Sequence, residues 1–231
     1  MTASPVLFGL RLGQKRIVRA RVALVALAIV GFAAAVALAE RQLELFGAAT
    51  RSLQGAAFGF IVPLATLGAV GLVFGNENLV AASTSLARFG LSRRPLALGL
   101  VVGAVAAASA MAAAVGFVTA LFAHDPWAPP LWQDLWASTW IGALVGAAYG
   151  SAYSLGATFG RRGGGRGFVF ILDFVLGASA SAISVLAPRA HAMHLLGSEP
   201  PLDGMSQGAS ALVLALVSVA TAGLAIARCP R

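Results

Sequence analysis

From residue 22 to residue 227 the chain is a series of long apolar runs separated by short polar punctuation. Six runs stand out, at about 22–39, 55–75, 97–123, 135–158, 167–187 and 209–227. About 20 consecutive apolar residues suffice to cross a bilayer core as a helix. The pattern therefore predicts an all-α, polytopic integral membrane protein with six transmembrane helices. One membrane domain fills residues 1–231, and its first 21 residues form a basic segment ahead of the first span.

Composition supports this reading. Hydrophobic residues make up 59% of the chain and charged residues 10%, with a mean hydropathy of +0.87. A soluble domain carries about 25% charged residues. The net charge of +8 would suit nucleic acid only if the cations formed one exposed patch. They are instead dispersed among the connections, so no nucleic-acid partner is expected.

Their placement sets an orientation. Arg11, Lys15, Arg16, Arg19 and Arg21 precede the first run, and Arg88, Arg93 and Arg94 lie between the second and third. Arg161, Arg162 and Arg166 lie between the fourth and fifth, and Arg228 and Arg231 follow the sixth. Only Arg41, Arg51 and Arg189 fall on the other side. Basic residues collect in cytoplasmic loops, so both termini are expected in the cytoplasm. Glu40, Glu44, Asp125, Asp134, Glu199 and Asp203 then lie outside, as do His124, His191 and His194. Trp127, Trp132, Trp136 and Trp140 gather at the outer end of the fourth run, at the level where indoles favour the headgroups.

The first run admits two readings. A basic stretch, an apolar run and "ALAE" at 37–40 have the form of a cleavable signal peptide. We take the segment as retained, and the orientation of the later spans is the same either way. Ahead of it, Arg11, Lys15 and Arg19 recur every four residues, with Leu7, Leu10, Ile17 and Val18 available for the opposite side. This spacing fits an interfacial helix on the inner leaflet and equally a plain basic anchor.

Small residues four apart let helix backbones approach closely. That spacing occurs at Gly55/Gly59, Gly71/Gly75, Gly99/Gly103 and Gly142/Gly146/Gly150. The three-step ladder predicts a tight helix contact, within the chain or across a dimer. Asp173 is the one ionisable residue well inside a run, and a carboxylate there must be paired, protonated or functional. Pro63 is expected to kink the second span.

Catalytic chemistry is sparse. "RRGGGRG" at 161–167 lacks the lysine–hydroxyl ending of a nucleotide-binding loop and reads as a flexible basic turn. His191 and His194 have no evident third ligand, so no metal site is expected. Ser151 follows a glycine, as in some intramembrane serine proteases, but the histidines lie in outer connections. Cys229 is the only cysteine, so no intrachain disulfide forms.

One stretch, "NENLVAASTSLARFGLSRRPLALGLVVG" at 76–103, is similar to the connection between the second and third spans of type-2 ABC transporter permeases, mostly exporters. Glu77 matches that family's glutamate and Ser83-Thr84 its small-residue step. Gly90-Leu91-Ser92-Arg93 matches the element leading into the third span. "GAAYGSAYSLGATFGRRGGGRGF" at 146–168 resembles the small-residue fourth span and basic turn. "LAPRAHAMHLLG" at 186–197 resembles the short outer helical segment between the last two spans.

The resemblance implies a non-catalytic permease subunit of the bacterial inner membrane, paired with a second copy or a homologue. ATP and Mg would be held by separate ATP-binding subunits. Glu77, Arg88, Gly90, Ser92, Arg93 and Arg94 would form the contact with that ATPase. Such permeases move lipids, glycans, drugs, peptides or haem. Two other classes remain open: an ion-coupled transporter using Asp173, and a non-transporting membrane scaffold.

Overall fold

The computed structural model describes residues 4–43, 47–87, 90–124, 130–177 and 182–230. Arg88, Glu44, Asp125 and Trp127 lie outside the described residues. The described chain is helical, with no strand. Its elements are α1 (Pro5–Ile17), α2 (Ala20–Gln42), α3 (Ala48–Arg51), a π-helical stretch (Ser52–Ile61), α4 (Val62–Phe74), α5 (Leu79–Ala87), α6 (Arg93–Ala123), α7 (Leu131–Gly156), α8 (Gly165–Leu176), α9 (Pro188–Leu195) and α10 (Gln207–Ala227). Short 3₁₀ turns cover Arg161–Gly163 and Ala182–Leu186.

Among the described residues, four helical segments are long and apolar enough to cross a membrane: Val22–Gln42, Ala48–Thr84, Arg93–Ala123 and Gln207–Ala227. They correspond to the first, second, third and sixth apolar runs. The fourth run is also one helix, the 26-residue α7. It carries Gln133, Asp134, Tyr149, Tyr153 and several serines; its second half, from Ile141 on, is packed inside the bundle, while Trp132 and Trp136 near its start are exposed.

The fifth run differs from expectation. No single helix covers 167–187: α8 ends at Leu176, and residues 182–186 form a 3₁₀ turn. Twelve residues rise about 18 Å, short of a bilayer core of about 30 Å. The next helix, α9, packs against the bundle. Pro188 opens it, and Ala190, His191, Ala192 and His194 are buried.

One α-helical bundle packs around α6 and α7, which run antiparallel. Their seam is made by backbone on backbone. A Cβ on Gly142 would lie 2.6 Å from the Ala112 carbonyl, and one on Gly146 would lie 2.5 Å from that of Ala108. One on Gly150 would lie 2.9 Å from Cα of Val105. The glycine ladder is thus an internal contact between α6 and α7. It permits an approach that any side chain would forbid, and the closeness multiplies dispersion contacts.

A second glycine pairing holds α1. A Cβ on Gly9 would fall 2.5 Å from the Leu96 carbonyl, and one on Gly99 would strike the Val6 carbonyl. Gly99 of α6 therefore meets Gly9 of α1, while Gly103 faces Leu10 and Gly13 faces Val73 of α4. This corrects the amphipathic reading of the N-terminal segment: the packed face is glycine, while Leu7 and Val18 are exposed. The helix also breaks at Val18, so Arg19 begins α2 and shares no helix with Arg11 and Lys15.

Pro63 sits where the π-helical stretch passes into α4. Proline cannot donate to the preceding turn, and a wider turn just before it is a common accommodation. The Pro63 carbonyl accepts from Tyr153 Oη at 3.2 Å and from Thr66 Oγ1 at 3.0 Å.

Candidate functional site

Three groups of residues are candidates: the arginine-rich end, the polar knot around Asp173 and the histidine cluster.

At the arginine-rich end, the C-termini of α4, α7 and α10 meet the N-termini of α6 and α8. Helix C-termini present unpaired carbonyls and partial negative charge, and arginines answer them. Arg16 Nη1 donates to the Val73 carbonyl of α4 at 2.8 Å. Arg94 Nε donates to the Cys229 carbonyl, just past α10, at 3.2 Å. Arg166 Nε donates to Gly163 O at 3.1 Å, and half-burial lowers the pKa of its guanidinium from the ordinary value. The Arg228 guanidinium lies 4.1 Å from the centre of the Phe159 ring.

The residues proposed from sequence for the ATPase contact occupy this end, with unequal freedom. Glu77 is exposed in the turn between α4 and α5. Gly90 is exposed with φ of 79°, a left-handed turn residue after α5. Ser92 is exposed at the N-cap of α6, and Arg93 begins that helix half-buried. Arg94 is already engaged by Cys229. Helix α5 buries Leu79 and Ala82 against its neighbours. The Leu79 N–H also donates to the Ala157 carbonyl at the end of α7, at 3.1 Å.

Asp173 is buried in α8, and both its oxygens are bonded. Tyr149 of α7 donates its hydroxyl to Oδ2 at 2.6 Å, and the Arg189 backbone N–H donates to Oδ1 at 3.2 Å. Tyr149 stacks on Tyr153 at 5.5 Å. The Arg189 guanidinium lies 4.5 Å from the Phe174 ring centre. The knot therefore links α4, α7, α8 and α9. A buried carboxylate with two donors is a strong tether. Nothing in the sequence near Asp173 points to Tyr149, 24 positions away.

The histidines converge on one hydroxyl. His191 Nδ1 lies 3.1 Å and His194 Nδ1 2.8 Å from Ser210 Oγ of α10. His191 Nε2 lies 2.7 Å from the Val185 carbonyl, which only accepts, so Nε2 carries a proton. In neutral His191, Nδ1 then accepts from Ser210, whose oxygen accepts from His194 Nδ1–H. Burial lowers the pKa of His191 from the ordinary 6.5. The arrangement fastens α9 to α10. Among the described residues, no three His, Cys, Asp or Glu side chains converge as a metal site would require. Ser151 donates to the Ala148 carbonyl within its own helix at 2.9 Å.

At the opposite end from the arginine cluster, Arg51 pairs with Glu40 at 3.4 Å and His124 with Asp134 at 3.1 Å. Trp132, Trp136 and Trp140 are exposed there on one face of α7. No family model, curated protein or solved structure matches the chain.

Proposed function

We propose that this chain is the membrane-spanning subunit of an ATP-driven exporter of the type-2 ABC class. The observation that carries the reading is α5 and the turn after it. A nine-residue helix sits between two long apolar helices at the arginine-rich end, and Gly90 and Ser92 are exposed just beyond it. α5 packs on α6 and bonds the end of α7, so force applied there passes straight to the two helices of the tightest seam.

In this reading the chain crosses the bilayer six times, with residues 167–187 as the fifth passage and α9 as the short outer helix before the sixth. Both termini and the arginine-rich end face the cytoplasm of a bacterium. Two permease copies, or one copy and a homologue, pair with two ATP-binding subunits that hold ATP and Mg. Closure of those subunits on ATP pushes the 77–94 segment and tilts α6 and α7 to open a path outward. The double bonding of Asp173 favours a tethering role over ion coupling.

Arg93→Glu tests the reading. Arg94 is unsuitable because it holds the α10 terminus, whereas Arg93 is half-exposed. The expected outcome is loss of the associated ATPase and of transport, with permease expression and thermal stability retained. Unchanged ATPase association and transport would remove the assignment.

A further inference from the structure

Helix α2 packs on α6 through a narrow strip and is otherwise largely exposed. Ala33 and Ala37 are its buried contacts, while Leu24, Val25, Leu27 and Phe32 are exposed. Between α2 on one side and α4 and α6 on the other runs an apolar groove of about 640 Å³. Small residues, Gly68 and Ala69 of α4 and Ala107 and Ala110 of α6, line the middle of its floor, flanked by Leu64, Leu72 and Met111. At one end it is closed by Ile17 and Val18, at the elbow between α1 and α2.

That end carries charge of one sign. Lys15 and Arg19 flank Ile17 and Val18 in sequence, and both are exposed. Arg16, between them, is engaged by the α4 terminus. No acidic residue occurs in the first 39 positions of the chain. The groove thus combines a narrow apolar trough with two exposed cations at its mouth. Uncharged or zwitterionic chains satisfy the trough alone, and a second copy packed on this face would bring the same basic first 39 residues and no acidic one. An anionic headgroup on an acyl chain satisfies both.

We propose that the α2/α4/α6 groove is a binding site for one anionic phospholipid. Its acyl chain lies over Gly68 and Ala110, and its phosphate sits between Lys15 and Arg19. This site is separate from the ATPase contact and stands or falls independently of the transporter reading.

Native mass spectrometry of the purified full chain tests it, with phosphatidylglycerol and phosphatidylcholine supplied at equal concentration. The wild type should retain one phosphatidylglycerol in preference to phosphatidylcholine by about thirtyfold, the effect of two basic residues at an anionic lipid surface. Gly68→Leu should abolish retention of both lipids. A Cβ at Gly68 meets nothing within 4 Å, so the added side chain enters the groove without displacing the protein. Ala110→Phe, at another exposed floor position, should do the same and serves if Gly68→Leu is not recovered folded. Lys15→Gln with Arg19→Gln should keep lipid retention but lose the headgroup preference. Unaltered retention in both groove variants would overturn the proposal. So would a groove variant that turns a dimer into a monomer with lipid retention intact, because a second copy would then cover the groove.

Discussion

Asp173 accepts hydrogen bonds from the Tyr149 hydroxyl and from a backbone N–H, and burial makes each of those bonds hard to replace. Tyr149→Phe leaves the carboxylate short of one donor, which should cost about 1–3 kcal/mol. Asp173→Asn keeps shape and one acceptor and should cost less. In the double variant the losses should be less than additive, because both remove the same contact. Thermal unfolding in detergent measures this, and strictly additive losses would deny the bond. His191 supplies a pH dependence. Its folded pKa is depressed by burial, so its contribution is fully present above the ordinary 6.5 and is lost as pH falls below that value. Apparent stability should therefore decline on acidification below about pH 6.5, and His191→Gln should flatten that decline. An equal decline in the variant would place the titration elsewhere. At this scale the sequence was half legible. Asp173 stood out as a lone charge in an apolar run, and His191 and His194 by their spacing. Their partners Tyr149 and Ser210 are distant in sequence, and only the packing of α7 and α10 brings them near.

Among the elements, the seam of α6 and α7 is the most exacting. Gly146→Leu would place side-chain atoms where the Ala108 carbonyl stands. Overpacking costs about 1–3 kcal/mol, occasionally more, and a clash against backbone belongs at the upper end. We expect loss of monodisperse protein on size-exclusion chromatography. Gly31→Leu, on the exposed face of α2 where a Cβ meets nothing within 4 Å, should behave as wild type. Equal behaviour of the two variants would refute the seam. The 142/146/150 ladder was readable because three steps at one spacing mark one helix face. The contact of Gly9 with Gly99 is not legible in the sequence, because the cations around Gly9 point toward a membrane surface. The fifth run is apolar throughout, yet its described parts are α8 and a 3₁₀ turn. Hydropathy records that residues are apolar, and it does not distinguish one spanning helix from a short helix followed by a returning segment.

At the level of the whole molecule, the cations gather where helix C-termini expose carbonyls, and Arg16 and Arg94 cap those termini directly. The bias in charge thus serves folding, whatever its part in orientation. The proposed orientation is tested by single cysteines at Ser92 and Gly164 on one end and at Pro130 and Asp203 on the other. Cys229 is buried, so background labelling is low. An impermeant maleimide applied to intact cells should label Pro130→Cys and Asp203→Cys and spare Ser92→Cys and Gly164→Cys. The reverse pattern would invert the protein and remove the ATPase from reach of α5. The most direct measurement of the central claim is purification of the tagged Ser92→Cys chain from its native membrane, with a short bifunctional cross-linker, followed by identification of what is bound and assay of ATP hydrolysis. A permease of this class would carry a stoichiometric ATP-binding subunit joined to position 92 and hydrolysing ATP in the complex. A chain that purifies from transport-competent membranes with no ATPase, and cross-links at position 92 only to lipid or to itself, would contradict the claim.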